Sequence, residues 1–126
     1  MFTQKEKIIN FTDLKTWKLG HELVLEVYNL TKEFPNEERF VLVGQLRRAS
    51  ISITSNIAEG FSRSTAKDKS RFYAMTLGSL MEVQNQLLIA RDLGYITDNT
   101  YGHISLKIIE IIKMTHGLIK AAFNRS

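Results

Sequence analysis

Two carboxylates on neighbouring helical segments, Glu59 and Glu82, come nearest in this chain to a catalytic pair. General acid–base chemistry needs two such groups in different surroundings and within reach of one substrate. Glu59 ends a row of polar residues, Gln45, Arg48, Ser52, Ser55/Asn56 and Glu59, whose three- and four-residue spacing puts them on one helix face. Ser79, Glu82 and Gln86 form a similar row on the next segment. Each row is either the solvated face of its helix or half of a seam in which Arg48 pairs with Glu82 or Glu59. Charges buried in a seam are tolerable only with partners and hydrogen bonds. A buried, paired Arg48 predicts a cost on the order of 3 kcal/mol for Arg48→Ala. A third use, an active site on Glu59 and Glu82, requires both carboxylates in an accessible pocket.

A second cluster suits phosphate. Arg63, Lys67, Lys69 and Arg71 lie close together around a turn, opposed only by Asp68 and interleaved with Phe61, Phe72 and Tyr73. Cations beside aromatic rings fit nucleic acid, where phosphates are neutralised and bases stack. Arg47 is a further candidate contact. Phe72 also fits a core stripe, so a stacking role is not its default. Metal and nucleophile chemistry find less support. The chain has no cysteine, and His21, His103 and His116 stand without metal-ligand spacing. The Glu-x-x-His pairs of di-iron bundles, His-Glu-x-x-His, a phosphate-binding loop and Gly-x-Ser-x-Gly are all missing. The expectation is therefore a non-enzymatic protein without catalytic residues, cofactor or metal.

Four amphipathic segments must position these groups, at about residues 13–33, 37–59, 65–93 and 98–122. In the first, Leu14, Trp17, His21, Val24 and Tyr28 make a stripe widened by Leu23, Val27 and Leu30, with Thr12 or Asp13 as N-cap and Pro35 as terminator. Leu42, Leu46, Ala49, Ile53 and Ile57 line the second, and Gly60 is expected at its C′ position. The alternation of Ile51 to Ser55 reads locally as a strand, but the longer frame favours helix. Thr65 and Asp68 form a variant capping box ahead of a stripe of Phe72, Met75, Val83, Leu87 and Ala90. Gly78 inside that segment suggests a close helix approach, and Gly94 closes it. Thr97 caps the fourth segment, whose face runs through Tyr101, Ile104, Ile108, Ile111, Ile112, Thr115, Leu118 and Ile119. Four long helices with short connections predict one all-α domain over residues 1–126, an antiparallel up-down-up-down four-helix bundle.

Composition agrees with this class. Of 126 residues 44% are hydrophobic and 24% charged, with one proline and seven glycines, which disfavours disorder and many-turned β folds. No apolar run could span a membrane, and the polar stretch Met1 to Asn10 does not resemble a signal peptide, so a cytoplasmic location is expected. The net charge of +4 lies wholly in residues 61–126. A basic half of this kind is the electrostatic footprint that a polyanionic partner would use.

The run from Gly44 through Gln45-Leu46-Arg47-Arg48-Ala49-Ser50-Ile51-Ser52-Ile53 into Ser55-Asn56-Ile57-Ala58-Glu59-Gly60 resembles the signature of the 23S rRNA intervening-sequence protein family, the "four helix bundle protein" family. Phe11, Leu14, Trp17, Tyr28, Phe34-Pro35, Glu38, Gly78-Ser79, Glu82, Leu87 and Leu93-Gly94-Tyr95 extend the likeness over roughly residues 11–120. The resemblance implies a bacterial antiparallel bundle assembled as a homopentamer, with a tie to rRNA or ribosomes. It also implies kinship with the accessory variability determinant protein of diversity-generating retroelements, which binds nucleic acid and partners a reverse transcriptase. It carries over no catalytic residue. It does carry over the row Arg48, Ser52, Asn56, Glu59, Ser79 and Glu82, and favours a structural polar network there. Ser50 and Thr76 stand where the family often has alanine. The functional expectation is a nucleic-acid-associated accessory or scaffold protein. A protein-binding accessory module without nucleic-acid contact is the alternative.

Overall fold

The structure, a computed structural model, describes residues 7–125. The expectation for Met1 to Asn10 therefore lies largely outside the described residues. Four helices, α1 (Lys15–Thr31), α2 (Leu42–Ser62), α3 (Ala66–Asp92) and α4 (Asp98–Asn124), form an all-α four-helix bundle. Each helix packs on its neighbours in sequence, and α1 also packs on α4. Leu23 and Val27 of α1, Leu46, Ile53 and Ile57 of α2, Leu80, Val83 and Leu87 of α3, and Ile108 and Ile111 of α4 are fully buried between them. Burying such a side chain contributes roughly 1.5–3 kcal/mol.

The helix ends follow local chemistry. Thr65 Oγ1 accepts from the Asp68 amide at 3.1 Å, and Thr97 Oγ1 from the Thr100 amide at 3.1 Å, so both predicted caps are present. Gly94 has φ +82°, the left-handed geometry that glycine adopts without a Cβ penalty. The Tyr95 amide reaches back to the Ala90 carbonyl and the Gly94 amide to that of Arg91, both at 2.9 Å, completing a Schellman ending.

Other boundaries differ from expectation. Neither Thr12 nor Asp13 caps α1. Asn10 and Asp13 form a capping box on a separate 3-10 turn, Phe11–Asp13, and α1 follows Leu14 without a side-chain cap. The two backbone amides bonded to Asp13, those of Asn10 and Ile9, hold its carboxyl below the ordinary value. The chain from 37 to 41 is not yet helix: a 3-10 turn at Asn36–Glu38 precedes α2. Gly60 is not a C′ residue. It lies inside α2, which runs on to Ser62, and a Cβ there would stand 2.5 Å from the Tyr73 ring. Gly78 is exposed with open space around it, so no close approach within the chain explains it.

The core faces of α1 and of the first half of α3 depart in part from the predicted stripes, while Leu23 and Val27 of α1 and Val83, Leu87 and Ala90 of α3 are buried as expected. α1 buries Thr16, Gly20, Leu23, Val27 and Thr31, and leaves His21 exposed. α3 buries Tyr73, Thr76, Ser79 and Leu80 and leaves Met75 half exposed. Two threonine hydroxyls on these faces bond to backbone. Thr76 Oγ1 donates across to the Ile53 carbonyl of α2 at 3.1 Å, and Thr31 Oγ1 to that of Val27 at 2.8 Å. A satisfied hydroxyl can take a core position that hydrophobicity alone would deny it.

Candidate nucleic-acid interface and polar seam

The polar rows of α2 and α3 do meet. The Ser79 hydroxyl bonds the Ser52 hydroxyl at 2.9 Å, and Asn56 Nδ2 donates to the carbonyl and hydroxyl of Ser52 at 2.9 and 3.0 Å. Further along, Gln86 Nε2 donates to Gln45 Oε1 at 3.2 Å. Gln86 is buried, and its own Oε1 has no hydrogen-bond partner. Gln45, Ser52 and Gln86 line an open groove together with Arg48, Ala49 and Glu82.

The charged members behave otherwise. Arg48 and Glu82 are exposed, and among the described residues neither forms an ion pair. The Arg48 guanidinium instead folds back along α2 beside Gly44. Glu59 is exposed and pairs with Arg63 one turn on, at 2.9 Å. The expected buried pairing of Arg48 with Glu82 or Glu59 is therefore corrected. Long charged side chains on an open groove reach water at little cost, whereas burial would strip their hydration. Arg48→Ala is accordingly expected to change the stability of the isolated chain by within about 0.5 kcal/mol, the usual result at a surface, as urea unfolding would measure. Among the described residues, Glu82 lines the α2/α3 groove and Glu59 does not.

The basic candidates divide in the same way. Arg63 and Arg71 both lie over the Phe72 ring, at 4.5 and 4.9 Å from its centroid. Lys67 is exposed one turn before Arg71, and among the described residues neither has an ion-pair partner. Lys69 and Arg47 serve the bundle itself. Lys69 Nζ donates to the Phe61 and Gly60 carbonyls at 2.8 and 3.3 Å, closing the C-terminal end of α2. Arg47 donates through Nε to Thr31 Oγ1 at 3.0 Å and through a terminal nitrogen to the Tyr28 carbonyl at 3.3 Å, closing α1 while stacking on Tyr28.

Sequence reasoning missed two tertiary clamps. Lys107 of α4 bonds Glu26 and Glu22 of α1. Burial alone would lower the Lys107 ammonium, but the two carboxylates outweigh it and hold it above its ordinary value. The Tyr95 hydroxyl donates to Glu38 Oε2 at 2.7 Å, tying the α3–α4 connection to the α1–α2 connection. Only the side-by-side placement of Glu22 and Glu26, one turn apart, was open to inspection beforehand. Among the described residues no three potential metal ligands gather, and no helix is long and apolar enough to cross a membrane.

An all-α bundle with a polar α2/α3 seam and a cationic, aromatic-bearing turn is the class of protein these features define. The chain belongs to the 23S rRNA-intervening sequence protein family, whose family model matches residues 12–117. Among solved structures it is similar to a Bacteroides thetaiotaomicron protein of unknown function from the S23 ribosomal protein family. The two are 27% identical with a TM-score of 0.76, over 83% of this chain and 95% of that one. No curated protein matches the chain.

Proposed function

We propose that this protein is a non-catalytic, cytoplasmic up-down-up-down bundle that assembles into a homo-oligomer, a pentamer by family resemblance, and serves as an rRNA- or ribosome-linked accessory scaffold. The observation that carries the nucleic-acid part is the cluster of Arg63, Lys67 and Arg71 around Phe72, in which Lys67 and Arg71 are free of carboxylate partners. Such a patch neutralises phosphates and reads little sequence. Lys69 and Arg47, held by backbone carbonyls, take a supporting part at most.

The oligomeric part rests on α3. Met75, Gly78, Met81, Glu82, Ile89 and Leu93 share one exposed face, beside the groove that holds Arg48 and the unsatisfied Gln86 oxygen. The same apolar face also supports a second reading, a module that recruits a protein such as a reverse transcriptase without touching nucleic acid. Binding of 23S rRNA fragments and duplex DNA, followed by gel shift from low to moderate salt, separates the two. Scaffold function predicts binding that weakens steeply with salt, with the salt slope falling by about one for each of Arg63, Lys67 and Arg71 replaced by alanine. No binding at low salt, together with recovery of one protein after nuclease treatment, would favour the second reading.

A further inference from the structure

The end of the bundle where α2 gives way to α3 holds a cavity of about 350 Å3, closed on its far side by the last turns of α4. Leu14, Phe61 and Leu118 supply apolar wall. Lys69, Tyr73 and Arg125 line the same space. Tyr73 is only 3% exposed overall, and its side chain forms part of the cavity wall. A phenol O–H in the wall of such a space is a donor that a bound acceptor can use. Burial pushes the phenol up, against a smaller opposing pull from Arg125, so it remains a protonated donor at neutral pH.

Lys69 is fixed by its two backbone carbonyls, which leaves one of its three hydrogens free. Burial and then the nearby Arg125 charge press its ammonium below the ordinary value. Two cations are thus held near one another, and no carboxylate lines the cavity among the described residues. An apolar chamber with a few convergent polar groups is the usual form of a small-molecule site.

We propose that this end cavity binds a small amphipathic monoanion, a carboxylate carried on a compact apolar body. The body packs against Leu14, Phe61 and Leu118, while the carboxylate accepts from the Tyr73 hydroxyl and from Arg125 and Lys69. The anion would relieve the repulsion between the cations and accept from the phenol together. This site is independent of the nucleic-acid reading and stands or falls apart from it.

Isothermal titration of the full chain with decanoate tests the proposal, with decanol as the uncharged control and inorganic phosphate as the charge without a body. The expected result is saturable binding of one decanoate per chain, at least tenfold weaker binding of decanol, and none of phosphate. Arg125→Gln and Tyr73→Phe should each weaken decanoate about tenfold, as for the loss of one hydrogen bond to a charged acceptor. Arg125 is exposed at the end of α4, so Arg125→Gln keeps the fold, and circular dichroism would verify it. No decanoate binding at millimolar concentration, equal affinity for decanol, or unchanged affinity in both variants overturns the proposal.

Discussion

Tyr95 illustrates how one hydroxyl can couple two connections and bring a pH dependence with it. The bond to Glu38 comes first, then burial and the carboxylate charges of Glu38 and Glu37, and together they push the phenol up to about 12 from its ordinary 10.0. A group whose folded pKa is raised adds stability that is complete below the unfolded value and lost as pH rises through the folded one. The contribution of Tyr95 is therefore present below pH 10 and disappears by about pH 12. Urea midpoints of wild type and Tyr95→Phe should differ at pH 9 and converge towards pH 12. A gap that persists unchanged would remove the assignment. Gly60 gives the opposite kind of case, in which steric space decides. Its missing Cβ makes room for the Tyr73 ring, so Gly60→Ala sets a methyl group against a rigid aromatic edge. Overpacking costs about 1–3 kcal/mol and better helix propensity returns about 1. The expected net loss is up to about 2 kcal/mol, read from thermal or chemical unfolding.

Among the elements, α3 separates what propensity controls from what packing controls. Thr65 satisfies an otherwise free amide at its start, and Thr65→Ala should cost about 1 kcal/mol. Gly78 sits mid-helix with nothing near its missing side chain, so Gly78→Ala should stabilise the isolated chain by roughly 0.5–1 kcal/mol. A gain at Gly78 beside a loss at Gly60 would show that these two glycines in long helices have different reasons for being there. The faces of α2 and α4 were legible in advance because large apolar residues at three- and four-residue spacing fill the buried positions. Those of α1 and the first half of α3 were legible only in part, because Thr16, Gly20, Thr76 and Ser79 share the buried positions with Leu23, Val27 and Leu80 where helices meet closely or a hydroxyl finds a partner. Hydrophobicity ranks such residues as surface, and extended the expected stripes onto His21 and Met75, which are exposed.

For the whole molecule, the exposed α3 face sets the decisive experiment. Met75, Met81, Ile89 and Leu93 around an open glycine are more apolar surface than an isolated helix face needs. Sedimentation of the 14.5 kDa chain should therefore give a multiple of that mass, five-fold for a pentamer. Ile89→Lys should lower the mass without unfolding the helices, because Ile89 lies outside the core cluster. A monomer at all concentrations for wild type would leave the face to a different protein. Assembly would also concentrate the basic turns, since each copy adds a charge of +4, and salt-dependent binding of RNA should then steepen with oligomer mass.

The order of apolar residues, the caps at Thr65 and Thr97 and the breakers at Pro35 and Gly94 determined by themselves that the chain makes four helices, because these signals act within a few residues of one another. The run from Gly44 to Gly60 was likewise enough to point to the family, and the match over residues 12–117 agrees. Tertiary structure alone decided which cations are free. Arg47 and Lys69 look on paper like Arg71 and Lys67, yet each is drawn to carbonyls that end a neighbouring helix. It alone decided that Arg48 and Glu82 stay in water while Ser52 and Ser79 meet, and that Lys69, Tyr73 and Arg125 gather around one cavity. The reason is physical: a side chain's partner across a bundle depends on helix rotation and crossing, which no spacing along a single helix records.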